Sequence, residues 1–240
     1  MSLTANESAI EEAALKFAKA NRPAIAKRLA DPEIFQSEDN PVSVFMAGSP
    51  GAGKTEASKA LIAEVTDGRN DILRIDPDEL RHEFDAYHGS NSYLFHRAVS
   101  ILVERIHDEA LKQSQSFVLD GTLSRYEKAE DNINRSLKRD RAVVILYVYQ
   151  DPLLAWQFVQ ARERVEGRKI NLEHFIEQYF GARDAVDRLK AAFGKQIEVD
   201  LLLKDNDNKV KSYKANIDKI DNHASEKYDR AALEKQLLKS

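Results

Sequence analysis

The sequence predicts an α/β fold in which a parallel five-stranded sheet carries flanking helices on both faces. Three observations carry this expectation. Short apolar runs alternate along the chain with helix-length segments, the rhythm that β-α-β units write into a sequence. The runs are dense in Val, Ile, Leu, Phe and Tyr, as strands covered on both sides must be. The first of them, Val42 to Ala47, leads straight into Gly48-Ser49-Pro50-Gly51-Ala52-Gly53-Lys54-Thr55, a glycine-rich turn that opens a helical stretch.

Residues 1–40 precede that turn and are expected to be a helical extension. Ala13, Leu15 and Phe17 stand among charges, and Thr4/Glu7 and Ser8/Glu11 have capping-box spacing. Pro23 is expected to open a second, short helix. Asp31-Pro32 and Asn40-Pro41 then punctuate the chain, because a residue before proline is pushed out of the helical region. Strands are expected at 42–47, 71–75, 116–119, 142–149 and 197–203. Helices are expected at 55–65, in a long segment ending near Lys112, and at 125–137, 152–165 and 172–192. The core is thereby assigned to residues 41–208, followed by a lysine-rich polar extension over 209–240 with a closing helix at Arg230 to Leu238.

Composition narrows the function classes. With 36 basic and 40 acidic side chains in 240 residues, the net charge of −4 gives no general attraction to nucleic acid or anionic membrane. There is no cysteine, so disulfides and thiolate chemistry are excluded. The six histidines are scattered without the spacing of a zinc site, leaving carboxylates and hydroxyls as metal ligands. Trp156, Phe158, Phe175, Tyr179 and Phe180 fall at helical spacings and are expected in the core. The start lacks a basic and an apolar signal region and no long apolar run follows, so a cytoplasmic chain is expected.

The turn after the first run has all four fixed positions of a phosphate loop, between a strand and a helix, where that motif belongs. Gly48, Gly51 and Gly53 let the N–H groups of the loop, Ser49 and Ala52 included, turn inward on phosphates. Lys54 then reaches the β/γ oxygens of ATP, and Thr55 offers its hydroxyl to Mg²⁺. This makes the fold a three-layer one of the P-loop kinase type.

Two acidic strand ends follow. Asp76 and Asp78 close the second strand, where ligands of open α/β sheets bind. A kinase needs a base to orient and deprotonate an acceptor hydroxyl, and Asp78 is assigned that role. Asp76 either caps the following turn or lines the acceptor site. Asp120 ends the third strand, placed to hold Mg²⁺ directly or through water, and Thr122 points a hydroxyl into the cleft or bonds its own backbone. Arg162, Arg164, Arg168 and Lys169 surround Gly167 in a segment able to close over a nucleotide, with arginine forks on the transferring phosphoryl group.

Pro41 to Glu56, Ile75 to Asp78, Asp120 to Leu123 and Gly167 to Phe175 together resemble the zeta toxin family, kinases of bacterial toxin-antitoxin systems that phosphorylate UDP-N-acetylglucosamine. The resemblance runs from Pro41 to Asn208 and implies an ATP- and Mg²⁺-dependent kinase with a nucleotide-sugar acceptor and an antitoxin partner. It implies that Asp78 is the catalytic aspartate and that Glu104 contacts the sugar. It also implies that Asp205 and Asn206 form a turn near the adenine. Asp120 replaces the usual glutamate of the family turn, and Ser124 stands where an arginine is typical, with Arg125 beside it to compensate. A small-molecule kinase with a housekeeping or detoxifying role, and a nucleotide-dependent switch, are the alternatives. The N-terminal helix either covers an apolar face or inhibits in cis.

Overall fold

A computed structural model of the chain describes residues 3–69, 71–167 and 170–239. The order of elements is α1 (Ala5–Leu29), β1 (Val42–Ala47), α2 (Lys54–Val65), β2 (Leu73–Ile75), α3 (His96–Lys112), β3 (Phe117–Leu119), α4 (Tyr126–Leu137), β4 (Ala142–Tyr149), α5 (Pro152–Glu166), α6 (Leu172–Phe193), β5 (Glu198–Lys204), β6 (Val210–Lys214) and α7 (Arg230–Leu237). The sheet runs β2-β3-β1-β4-β5-β6, with the first five strands mutually parallel and β6 antiparallel to β5. The expected parallel five-stranded sheet is therefore present, with a sixth strand added at one edge. The chain leaves β1 toward one side of the sheet and β4 toward the other, which opens a crevice at their carboxyl ends.

Alternation along β1 divides the layers. Phe45 and Ala47 join the main core with α1, α3, α4 and α6, whereas Met46 packs with Ala57 and Ile62 of α2 on the opposite face. A third cluster, formed by Trp156, Val159, Phe175, Tyr179, Leu233 and Leu237, ties α5, α6 and α7 together. The aromatics Trp156, Phe175 and Tyr179 are core residues, as their spacing predicts.

The N-terminal region departs from its expectation at Pro23, which lies inside one continuous helix instead of opening a second. Proline removes one intrahelical hydrogen bond at a cost of about 3 kcal/mol. Burial on both sides of it offsets that cost: Ala14, Ala18, Ile25 and Ala26 all enter the main core. The Thr4/Glu7 capping box is present at the start of α1. Polar ties run from the same helix to the segment between β2 and α3, with Arg28 bonded to Glu83 at 2.7 Å and Tyr93 to Glu7. Among the described residues no helix is long and apolar enough to cross a membrane.

Candidate active site

The phosphate loop is built by close backbone approach. Gly51 has φ of +73°, and a Cβ there would lie 2.1 Å from the Ala155 carbonyl oxygen and 3.1 Å from Val159 Cγ2, so only glycine fits between β1 and α5. Gly48, at φ of +132°, would meet the Val148 carbonyl oxygen at 2.3 Å. Its N–H donates to the Thr122 carbonyl at 3.2 Å, which fastens the loop to the turn after β3. Lys54 Nζ donates to the carbonyl oxygens of Gly48 (3.1 Å) and Ser49 (2.6 Å), holding its charge over the loop that the N-terminus of α2 already makes positive. Ala52 is buried and donates its N–H back to Ser49 O at 3.3 Å.

Next to this loop the ends of β2 and β3 form an acidic cluster. Asp120 N–H donates to Ile75 O at 2.9 Å, which sets the two strand ends side by side. The Arg74 guanidinium lies between the acids, with Nη1 2.5 Å from Asp76 Oδ2 and 3.1 Å from Asp120 Oδ2, and Nη2 2.6 Å from Glu79 Oε1. Ser58, one turn into α2 after Thr55, brings its hydroxyl to 2.9 Å from Asp120 Oδ2. Asp76 Oδ1 accepts the Asp78 N–H at 2.7 Å. Burial, then the charges of Asp78 and Asp120, push the Asp76 carboxyl up to about 6 against the pull of that N–H and Arg74. Asp78 stays 35% exposed at the mouth of the cleft and is paired with the buried Arg81.

Thr55 is half-buried in the first turn of α2, and its hydroxyl together with the carboxylate of Asp120 offers the hard oxygen donors that Mg²⁺ takes. Among the described residues no group of three or more His, Cys, Asp or Glu side chains converges as a metal-ligand set. The donors thus fit a cation held jointly with phosphate oxygens and water, and do not form a closed protein cage.

The remaining expected residues lie on several other elements. Thr122 Oγ1 lies 3.1 Å from Ser124 Oγ. Arg125 is exposed at the start of α4. Glu104, on α3, is engaged by Lys128 and by Arg135 at 3.3 Å across the α3–α4 contact. Arg164 is exposed in the last turn of α5, and Arg162 approaches Glu56 at 4.0 Å. Gly167 ends α5 at φ of +71°, and its Cβ position lies 3.7 Å from Ser90 N, so the tip of this helix meets the segment that follows β2 across the cleft. Arg168 and Lys169 lie outside the described residues. Asp205 shapes the β5–β6 turn, its carboxylate accepting the N–H groups of Asp207 (2.9 Å) and Lys209 (2.8 Å), and Asn206 is exposed on that turn.

Four residues of the site escaped the sequence reading. Arg74 stands two residues before Asp76, and strand periodicity puts both on one face. Ser58 and Arg81 are each three residues beyond a singled-out residue, Thr55 and Asp78, on the same helical or 3₁₀ face. Asn208 has its side-chain amide against Gly53, with Nδ2 3.1 Å from where a Cβ would stand. That contact joins distant parts of the chain and leaves no local signal.

Solved structures share this fold at low identity. One from the PezAT chromosomal toxin-antitoxin system of Streptococcus pneumoniae aligns over 99% of this chain and 94% of its own, with a TM-score of 0.65 and 13% identity. An AvrRxo1-ORF1:AvrRxo1-ORF2 complex with sulphate ions aligns over 89% and 70%, with a TM-score of 0.56 and 17% identity. An AvrRxo1-ORF1:-ORF2 structure with ATP aligns over 86% and 65%, at 0.54 and 17%. No curated protein sequence matches the chain. The zeta toxin family model matches residues 26–218, from within α1 to beyond β6, and the chain accordingly belongs to the zeta toxin family.

Proposed function

We propose that this chain is an ATP- and Mg²⁺-dependent kinase that transfers the γ-phosphoryl group to a hydroxyl of a sugar nucleotide such as UDP-N-acetylglucosamine, and that it acts as a toxin restrained by an antitoxin. The observation that carries the proposal is the placement of a complete phosphate loop beside Asp78 and Asp120, on neighbouring strand ends. Loop N–H groups of Ser49, Gly51 and Gly53 cradle the phosphates, those of Gly48 and Ala52 bonding the Thr122 and Ser49 carbonyls, and Lys54 neutralises charge on the β/γ oxygens. Thr55 and Asp120 hold the cation, which supplies further charge neutralisation when bound. Asp78, the most accessible of the three strand-end aspartates, orients the acceptor hydroxyl and takes its proton as the new oxygen–phosphorus bond forms and the bond to the β-phosphate oxygen breaks. Arg164 and Arg168 close from the lid, Asp205 and Asn206 border the adenine, and Asp76, Glu104, Thr122 and Arg125 face the acceptor.

A second reading concerns the acceptor alone. Glu104, implied to contact the sugar, is engaged by Lys128 and Arg135, and Asp120, which replaces the usual glutamate of the family turn, by Arg74 and Ser58, so both acids are held by the protein's own cations and hydroxyl. This favours an acceptor other than UDP-N-acetylglucosamine. Purified protein incubated with ATP, Mg²⁺ and a panel of sugar nucleotides, nucleosides and aminoglycosides decides between them, with mass spectrometry following the added phosphate. Phosphate on a sugar nucleotide supports the first reading, and phosphate on another class supports the second. ATP consumption without any phosphorylated acceptor refutes both.

A further inference from the structure

Arg74 does something that phosphate binding does not require. Lys54 already serves the loop, yet a second cation lies two strands away and only 10% exposed. β2 has three residues, and its outer two, Leu73 and Ile75, enter the main core, which turns Arg74 and Asp76 to the α2 face. On that face the backbone bond from Asp120 to Ile75 forces two carboxylates together, 6% and 3% exposed, where their mutual repulsion is poorly screened by water. A single guanidinium nitrogen bridges them, and the second nitrogen reaches Glu79 on the following turn. Arg74 stands where a free divalent cation would otherwise settle between two acids. We infer that Arg74 is a positioning residue acting as a built-in counter-cation for Asp76 and Asp120, so that a divalent ion enters the site only with the phosphates of the nucleotide.

The inference rests on the nucleotide-and-cation reading of the site. Its decisive test uses neither acceptor nor turnover, so it stands apart from a failure of the kinase assay. The full chain is titrated with Mn²⁺ alone and with Mn²⁺ plus ATP, free Mn²⁺ being followed by electron paramagnetic resonance. The native chain is expected to take up Mn²⁺ only when ATP is present. Arg74→Met is expected to bind one Mn²⁺ without nucleotide at least about tenfold more tightly than the native chain, since two bare carboxylates then face each other. Arg74→Lys, which keeps the charge, is expected to behave as native, and adding Asp76→Asn to Arg74→Met is expected to abolish the gain. Where Arg74→Met does not fold, Arg74→Gln carries the same expectation. A folded variant with a lowered Tm and no nucleotide-free Mn²⁺ uptake makes Arg74 merely structural and overturns the inference. Equally tight nucleotide-free uptake by the native chain overturns it too.

Discussion

Lowering the pH should test the main core directly. His107, on α3, is 1% exposed, with its ring edge-on to Phe45 and Phe117 at centroid distances of 6.2 and 4.9 Å. Its Nε2 has no hydrogen-bond partner among the described residues. Burial, and after it the charges of Arg135, Arg141 and Arg139, hold its pKa down to about 3 against an ordinary value of 6.5. Between those values the unfolded chain carries a proton on this ring that the folded chain refuses. The stability contribution is therefore complete above about pH 6.5 and is lost as pH falls toward about 3, at about 1.4 kcal/mol per pH unit. From about pH 6.5 to about pH 5 the loss amounts to about 2 kcal/mol. Asp76 works with the opposite sign: its pKa, raised to about 6, makes the folded chain the tighter proton binder, so its contribution is present at low pH and is lost as pH rises through that value. The two partly cancel in the native protein, which makes a paired comparison necessary. Urea unfolding of the native chain and His107→Leu, at three pH values between about 7 and about 5, isolates the histidine because the Asp76 contribution is common to both. The stability difference should shift by about 2 kcal/mol in favour of the variant as pH falls. A difference constant within about 0.5 kcal/mol would refute the reasoning.

Three further outcomes are expected. Lys54→Ala removes both the charge facing the β/γ-phosphates and the tie to the Gly48 and Ser49 carbonyls, so turnover should vanish and the ATP Kd from calorimetry should rise by about tenfold; near-native turnover would contradict the site. Asp78→Asn should leave ATP affinity nearly unchanged while kcat falls by about 10² or more; an equal loss in ATP binding would make Asp78 a nucleotide or metal ligand instead. Deleting residues 1–38 strips Ala14, Ala18, Ile25, Ala26 and Ala30 from the main core and should lower Tm by about 5–10 °C together with activity. Raised activity at an unchanged Tm would show that the segment inhibits.

What could be seen in the sequence was what local physics dictates. Parallel strands covered on both faces must be apolar throughout, so β1, β3, β4 and β5 stand out as runs, and the spacing of Gly48, Gly53, Lys54 and Thr55 follows from the shape of a phosphate. β6 was hidden because an edge strand with one neighbour needs no such run: Val210 to Lys214 is mostly exposed and reads as a polar tail. The continuity of α1 through Pro23 was hidden because the stabilisation comes from tertiary burial, which outweighs the local propensity. Asp76 and Asp120 were legible as acids at strand ends, but their shared partner was not. A charged residue inside a strand that short gives no sign of which face it serves until the neighbouring strand is in place.

The contact between Gly51 and the backbone of α5 bears on how such proteins can be recombined. The helix that carries the arginine segment is seated at Ala155 and Val159 directly against the phosphate loop, with no room for even one added methyl group. An arginine segment grafted from another family member would inherit its tilt from residues a few turns earlier in the same helix. Chimaeras joined at the tip, near Gly167, keep the seat and alter only the reach of the arginines, whereas those joined before residue 155 re-aim the whole arm and unseat the loop with it.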